Sequence, residues 1–334
     1  MLFVCTPSLK ASSHAARIRS SLGSRLAAEF TEVEPHVPRE TVEAARTIAE
    51  RHQIGVVVAL GGGSAIGVGK GIVLSPSPLA GEGRGGGSPV LIAIPTTYAG
   101  SEMTPVFGTT DHAQGRKSVR RDDAVLPKLA IYDPEVTVDL SAELTASTAM
   151  NALAHCVEAC YAREVNPLVP PVALEGIRRI VRSLPLCIAN GRHLDAREDL
   201  LTGAYLAGFS IGNAAMALHH GICHVLGGRT GVAHGVLNAI MLPHVMRFNA
   251  PTAPTAMSAI ADAMGPGPRS ERSAPERVAA LVASLPVPQR LRDAGVPETI
   301  LESVAEEAAT NPTVQANPRP VTQANLRDLL RSAW

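Results

Sequence analysis

GVVVALGGGS, residues 55–64, decides the fold. The Val/Ala/Leu run at 55–60 is too short for a helix and apolar throughout, so it reads as a strand buried on both faces of a parallel sheet. Gly61, Gly62, Gly63 and Ser64 follow, and a helical stretch at 65–73 comes next. Glycines at that junction let the backbone approach a pyrophosphate, and free N–H groups at a helix start donate to its oxygens. The pattern is neither GxGxxG nor a Walker A loop, so alone it fits a phosphate cradle or a tight turn. A second strand-like run at 90–94 leads into PTTYAGS, residues 95–101. Its hydroxyls sit at a strand's carboxyl end, where open α/β sheets bind ligands.

Outward from these loops, strand and helix signals alternate. Strands are expected at 2–5, 29–33, 106–109 and 129–132, with helices at 12–21 and 39–52. Alternation of this kind means βαβ units. Beyond residue 141 the chain is Ala- and Leu-rich, with helical spacing at 141–162, 168–190, 195–218, 234–248, 252–264, 275–285, 297–309 and 322–333. Two domains follow: an α/β dinucleotide-binding domain at 1–137 and an all-α domain at 138–334. The Gly/Ser/Pro-rich stretch 75–89 is read as a surface insert without a catalytic role. Its glycines precede a strand, the wrong side for a phosphate loop.

Composition narrows the function. The 334 residues carry 30 basic and 30 acidic side chains, which gives no support for a polyanion such as nucleic acid or for an anionic membrane. Residues 200–228 lack Asp, Glu, Lys and Arg. The stretch is long enough to span a bilayer, but its Thr, Ser, Asn and Gly content reads as a buried helix. Five scattered cysteines without a CxxC, and no basic segment ahead of the first apolar run, fit a cytoplasmic protein.

The 11 histidines outnumber the aromatic residues, and five of them fall within 219–244. His220 and His224 are four apart, as are Asn151 and His155, so each pair shares a helical face. Such a face can hold a metal or work as a set of acids and donors. His219, His244 and Cys223 read as packing residues.

Together, GGGSAIGVGK (61–70), PTTYAGSEMT (95–104), YDP (132–134), NALAHCVEA (151–159) and HGICHVLGGRTGVAHGVLNAIMLPHVMRFN (220–249) resemble the iron-containing alcohol dehydrogenase family over most of the chain. Three departures look like its maleylacetate reductase branch: Gly67 where the family has Asp, a shortened PTT loop with Tyr98, and Asn151 in place of the carboxylate ligand. The resemblance implies a dehydroquinate synthase-like architecture. It implies a homodimeric enzyme of aromatic-compound breakdown that reduces the small dicarboxylate maleylacetate to 3-oxoadipate with NADH or NADPH. It also implies a further strand ahead of the first one seen here, so the chain reads as short at its start, which puts the dimer in question.

Residue by residue, the resemblance places Gly61, Gly62, Gly63 and Ser64 on the pyrophosphate. Thr96, Thr97 and Ser101 go beside the nicotinamide, and Lys117 beside its ribose, although Lys117 in RKSVRR reads equally as a solvated charge run. No carboxylate near Thr6 and Pro7 would repel a 2′-phosphate, so both cofactors are expected to bind. The family's metal positions fall on Asn151, His155, His220 and His234. With Asn151 neutral, a divalent iron or zinc is not expected to be required, and His220, His224 and His234, with Tyr98, are expected to act as donors and acid. Arg120, Arg121 and Arg229 are candidates for the substrate carboxylates, against a plain surface role. Two other readings remain open: a metal-dependent alcohol or glycerol-type dehydrogenase of the same fold, and a shortened nucleotide-binding pseudoenzyme.

Overall fold

A computed structural model describes residues 1–74, 88–111, 116–163, 165–266 and 273–334. They form two compact units, Met1–Thr137 and Val138–Trp334. The insert at 75–89 lies outside the described residues up to position 87.

The first unit holds a parallel sheet of β1 (Leu2–Cys5), β2 (Ala28–Phe30), β3 (Val56–Gly61), β4 (Val90–Pro95) and β7 (Leu129–Ala130), in the order β2-β1-β3-β4-β7. Parallel pairing runs from Val56 opposite Val90 to Gly61 opposite Pro95, so β3 and β4 end together and their two loops emerge side by side. Side chains alternate across the sheet. Val57 and Ala59 pack with α2 (Arg39–Arg51) and α3 (Gly63–Val73), while Val58 and Leu60 join Phe3, Cys5 and Ala15 of α1 (Ser13–Leu22) on the other face. Burial on both faces is why β3 is apolar without alternation.

One strand escaped the sequence reading. RKSVRR forms β6 (Arg116–Arg121), antiparallel to β5 (Val106–Asp111). It belongs to a two-stranded ribbon outside the main sheet, so it shows none of the apolar run that marks β3.

Lys70 of α3 is fully buried. Its ammonium donates to the carbonyls of Ser101, Thr104 and Val106 at 2.6, 2.7 and 2.7 Å. Burial pulls its pKa down to about 7, against the opposing field of buried Glu102. Three carbonyl acceptors match the three N–H donors of an ammonium. Lys70 therefore ties the loop after β4 to the phosphate-loop helix.

The second unit is helical: α4 (Ala142–Tyr161), α5 (Val169–Ala189), α6 (Leu194–Gly212), α7 (Leu218–Thr230), α8 (His234–Asn249), α9 (Pro254–Ala263), α10 (Ala274–Ala283), α11 (Leu301–Ala309), α12 (Pro312–Gln315) and α13 (Gln323–Ala333). Ser141 caps α4 by accepting from the Leu144 amide. The helix expected at 195–218 ends at Gly212, and α7 starts separately at Leu218. Among the described residues no helix is long and apolar enough to cross a membrane.

Lys70→Met keeps the bulk but leaves three buried carbonyls without a donor. A loss of about 2–4 kcal/mol in chemical denaturation is expected, and an unchanged midpoint would contradict the tie.

Candidate active site

In the first unit the site is two loops pressed together. Gly61 has φ +150°, a conformation that side chains resist. A Cβ on Gly62 would lie 2.8 Å from Cγ2 of Thr97, so only glycine lets the two loops meet. The Thr96 amide donates to the Gly61 carbonyl at 3.1 Å. At the N-terminus of α3, Gly62 has no capping side chain, which leaves the helix amides to an anion. Gly63, Ser64, Thr97 and Ser101 keep part of their surface open, whereas Thr96 is buried.

Tyr98 departs from its expected role. It is completely buried, and its hydroxyl lies 3.2 Å from Oγ1 of Thr137, which itself donates to the Pro134 carbonyl. With no exposed surface, it packs inside the first unit and pins the loop after β4 to Thr137. Lys117 pairs with Thr110 across the ribbon, and its side chain lies outside the described residues. Arg120 and Arg121 are exposed. Arg229 is held by Glu307 at 2.7 Å and by Ser303 at 3.0 Å, so a surface role fits it better than a grip on substrate.

In the second unit, α4 brings Asn151, His155 and Glu158 onto one face by their spacing of four and three residues. Four imidazoles gather there. His155 stacks on His220 with ring centroids 4.7 Å apart, His220 lies 5.9 Å from His234 and 6.3 Å from His224, and His224 stacks on His234 at 5.1 Å. Gly235 makes room for this. A Cβ there would sit 2.5 Å from the Ser147 carbonyl oxygen of α4, so His234 reaches the cluster only with glycine beside it.

Sequence reasoning missed Glu158, which organises the cluster. It is fully buried, and its carboxylate accepts from the amides of Ala217 at 3.1 Å and His219 at 2.8 Å. Its Oε2 is also 2.7 Å from Nδ1 of His220. Helix α7 has no capping side chain of its own at Ala217, so Glu158, 59 residues upstream, caps it. Burial raises the Glu158 pKa on balance, against the opposing pull of His219 and the amide donors. Backbone amides can only donate, and both oxygens already accept from them. When Glu158 is a carboxylate, it accepts from Nδ1–H of His220 as well.

That hydrogen bond bears on the role expected of His220. Burial first, then His219 and His224, hold its pKa well below the usual range, so the ring is neutral. With Glu158 a carboxylate the proton sits on Nδ1, and Nε2 of a neutral His220 then carries a lone pair and accepts. Among the described residues this Nε2 is buried without a hydrogen-bond partner, as is Nδ1 of His155, whose pKa burial and His220 also depress.

Orphaned imidazole nitrogens beside a carboxylate-anchored histidine are the donor chemistry of a divalent-metal site. The amide Oδ1 of Asn151 accepts from Asn238 at 3.1 Å and brings no charge. Glu158, His219 and His220 also place three ligand atoms within 4.8 Å of one another. Hydrogen bonds already use those atoms, including Nε2 of His219 with the Asn238 carbonyl at 3.2 Å, so that trio is a network. His219 is fully buried, with its ring edge-on to His220 at 5.0 Å.

Comparison with known proteins bears on the same residues. The family profile described as iron-containing alcohol dehydrogenase matches residues 1–134, and that of the Fe-containing alcohol dehydrogenase family C-terminal region matches 145–334. A maleylacetate reductase of Burkholderia cepacia is 40% identical over 333 residues, covering 100% of this chain and 88% of the relative. One from Sphingobium indicum is 37% identical over 322 residues, covering 96% and 85%. The crystal structure of maleylacetate reductase from Agrobacterium tumefaciens superposes with a TM-score of 0.88 at 35% identity, covering 100% of this chain and 89% of that one.

Glu158→Ala would leave two amides and an imidazole N–H unpaired in the core. Chemical denaturation should show a loss of about 3–5 kcal/mol, and a loss below 1 kcal/mol would remove Glu158 from the centre of this network.

Proposed function

Because the chain belongs to the iron-containing alcohol dehydrogenase family, we propose that it reduces maleylacetate to 3-oxoadipate with NADH or NADPH. The observation that carries this reading is the full-length similarity to maleylacetate reductases, joined to the neutral Asn151 in the imidazole cluster. The glycine loop and the α3 amides would hold the cofactor pyrophosphate. No carboxylate follows β1, where Thr6 and Pro7 stand, so a 2′-phosphate meets no repulsion.

The reaction needs one hydride and one proton. Hydride leaves the reduced nicotinamide for the alkene carbon β to the ketone. The alkene electrons move onto the ketone oxygen as an enolate, and a proton then closes the adjacent carbon. Oxidised nicotinamide and 3-oxoadipate result. His224 and His234 are the imidazoles assigned to donate to the enolate and deliver that proton. His220 accepts at Nε2 and stays oriented through Glu158.

Asn151, His155, His220 and His234 would hold a divalent iron or zinc, which when bound supplies a Lewis acid. Asn151 adds no charge where a carboxylate would, which weakens the hold on a divalent cation, and a conjugated enone needs less polarisation than an alcohol. Turnover is therefore expected without added metal. The homodimer and the cytoplasmic setting implied by the resemblance belong to this reading, and size-exclusion chromatography tests the former.

Following NADH and NADPH consumption with maleylacetate, with and without chelator, checks the proposal. Consumption matched by 3-oxoadipate and indifferent to chelator is expected, with kcat lowered about 100- to 10,000-fold in His224→Ala. No consumption would refute the substrate. Loss on chelation with recovery by iron or zinc would refute the metal-free part.

A further inference from the structure

A polar cavity lies in the helical unit, away from the imidazole cluster. It measures about 390 Å³ and is lined by Arg247 of α8, Arg290 of the segment after α10 and Arg331 of α13, together with His244, Ser332 and the Trp334 ring. Three arginines from three separate segments converge on it, and no acidic side chain lines it. Several other surface arginines sit on carboxylates: Arg17 on Glu135, Arg179 and Arg182 on Asp199, and Arg327 on Glu302. Among the described residues, none of the three cavity arginines has a carboxylate within 4.0 Å. Glu302, which feels the charge of Arg331, is held by two short hydrogen bonds to Arg327.

The rest of the lining is fixed in place. Nδ1 of His244 is 2.9 Å from Oγ of Ser332, and that hydroxyl donates to the Leu329 carbonyl at 2.7 Å. His244 must therefore carry its proton on Nδ1, which makes it a donor to Ser332. The Trp334 indole donates to the Val296 carbonyl at 2.9 Å, and Arg292 covers its ring. Exposed guanidiniums that have no carboxylate partner among the described residues, set on a partly apolar frame, suit carboxylate or phosphate oxyanions.

We propose that the Arg247–Arg290–Arg331 cavity binds a small multiply charged oxyanion, a di- or tricarboxylate or inorganic phosphate, separately from the imidazole cluster. His244 stands ten residues after His234 on α8, about 15 Å along the helix, so the two places are distinct. The proposal does not depend on which reaction the imidazoles perform.

His244 is a built-in reporter. Burial, then Arg247, hold its pKa down at about 4. An anion in the cavity would offset the charge of Arg247 and move the imidazole resonances upward in pKa.

The test titrates the full chain with citrate, adipate and phosphate, each against chloride, by calorimetry and by NMR of the His244 ring. Saturable binding is expected with at least one probe. Arg290→Gln with Arg331→Gln, both exposed positions, should weaken it about tenfold or more while NADH binding stays unchanged. Response to citrate and adipate alone assigns carboxylates, and response to phosphate alone assigns phosphate. The proposal fails if no probe shifts His244, or if the double variant binds as the parent does.

Discussion

The buried carboxylate of Glu158 is the constraint on which the helical unit depends. An isolated charge in an apolar interior is costly unless hydrogen bonds surround it. Here the Ala217 and His219 amides and the His220 imidazole do so. Helix α7 must therefore begin where its first amides meet Glu158, and the positive end of its dipole also favours the negative charge. The same carboxylate fixes the tautomer of His220, and through it the lone pair presented to the other rings.

The phosphate-loop unit uses the opposite charge for a comparable purpose. Lys70 buries an ammonium among three carbonyls and so fixes the loop carrying Ser101 against the helix that begins at Gly63. Both units hold their working loops with a desolvated charge whose partners are mostly backbone groups. Such partners are available whatever the neighbouring side chains are. They are also hard to replace, because removing the charge strands several peptide groups at once.

What was legible in the sequence was what is local. The apolar run of β3, the glycines behind it, the Ser141 cap and the four-residue spacings of Asn151/His155 and His220/His224 are each decided within a few residues. The parallel sheet and the helical second half followed from them. The break between α6 and α7 was hidden because its cap comes from Glu158, 59 residues upstream, within a stretch without charges to mark an end. Glu158 itself could have been found, since it lies seven residues after Asn151 and three after His155 on one helical face. Tyr98 misled because a hydroxyl in a ligand loop looks functional, while its burial and its bond to Thr137 depend on a segment 39 residues away. The tautomer of His220 was hidden for the same reason: it is set by a partner, and that partner is distant in sequence.

The state of His220 tests this account most directly. Two-dimensional ¹⁵N–¹H spectroscopy of the imidazole at neutral pH distinguishes the two nitrogens. The account predicts a protonated Nδ1 and an unprotonated Nε2, with the pattern lost when Glu158 is replaced by alanine. A proton on Nε2, with Nδ1 accepting from a protonated Glu158, would contradict it and return His220 to the role of a donor.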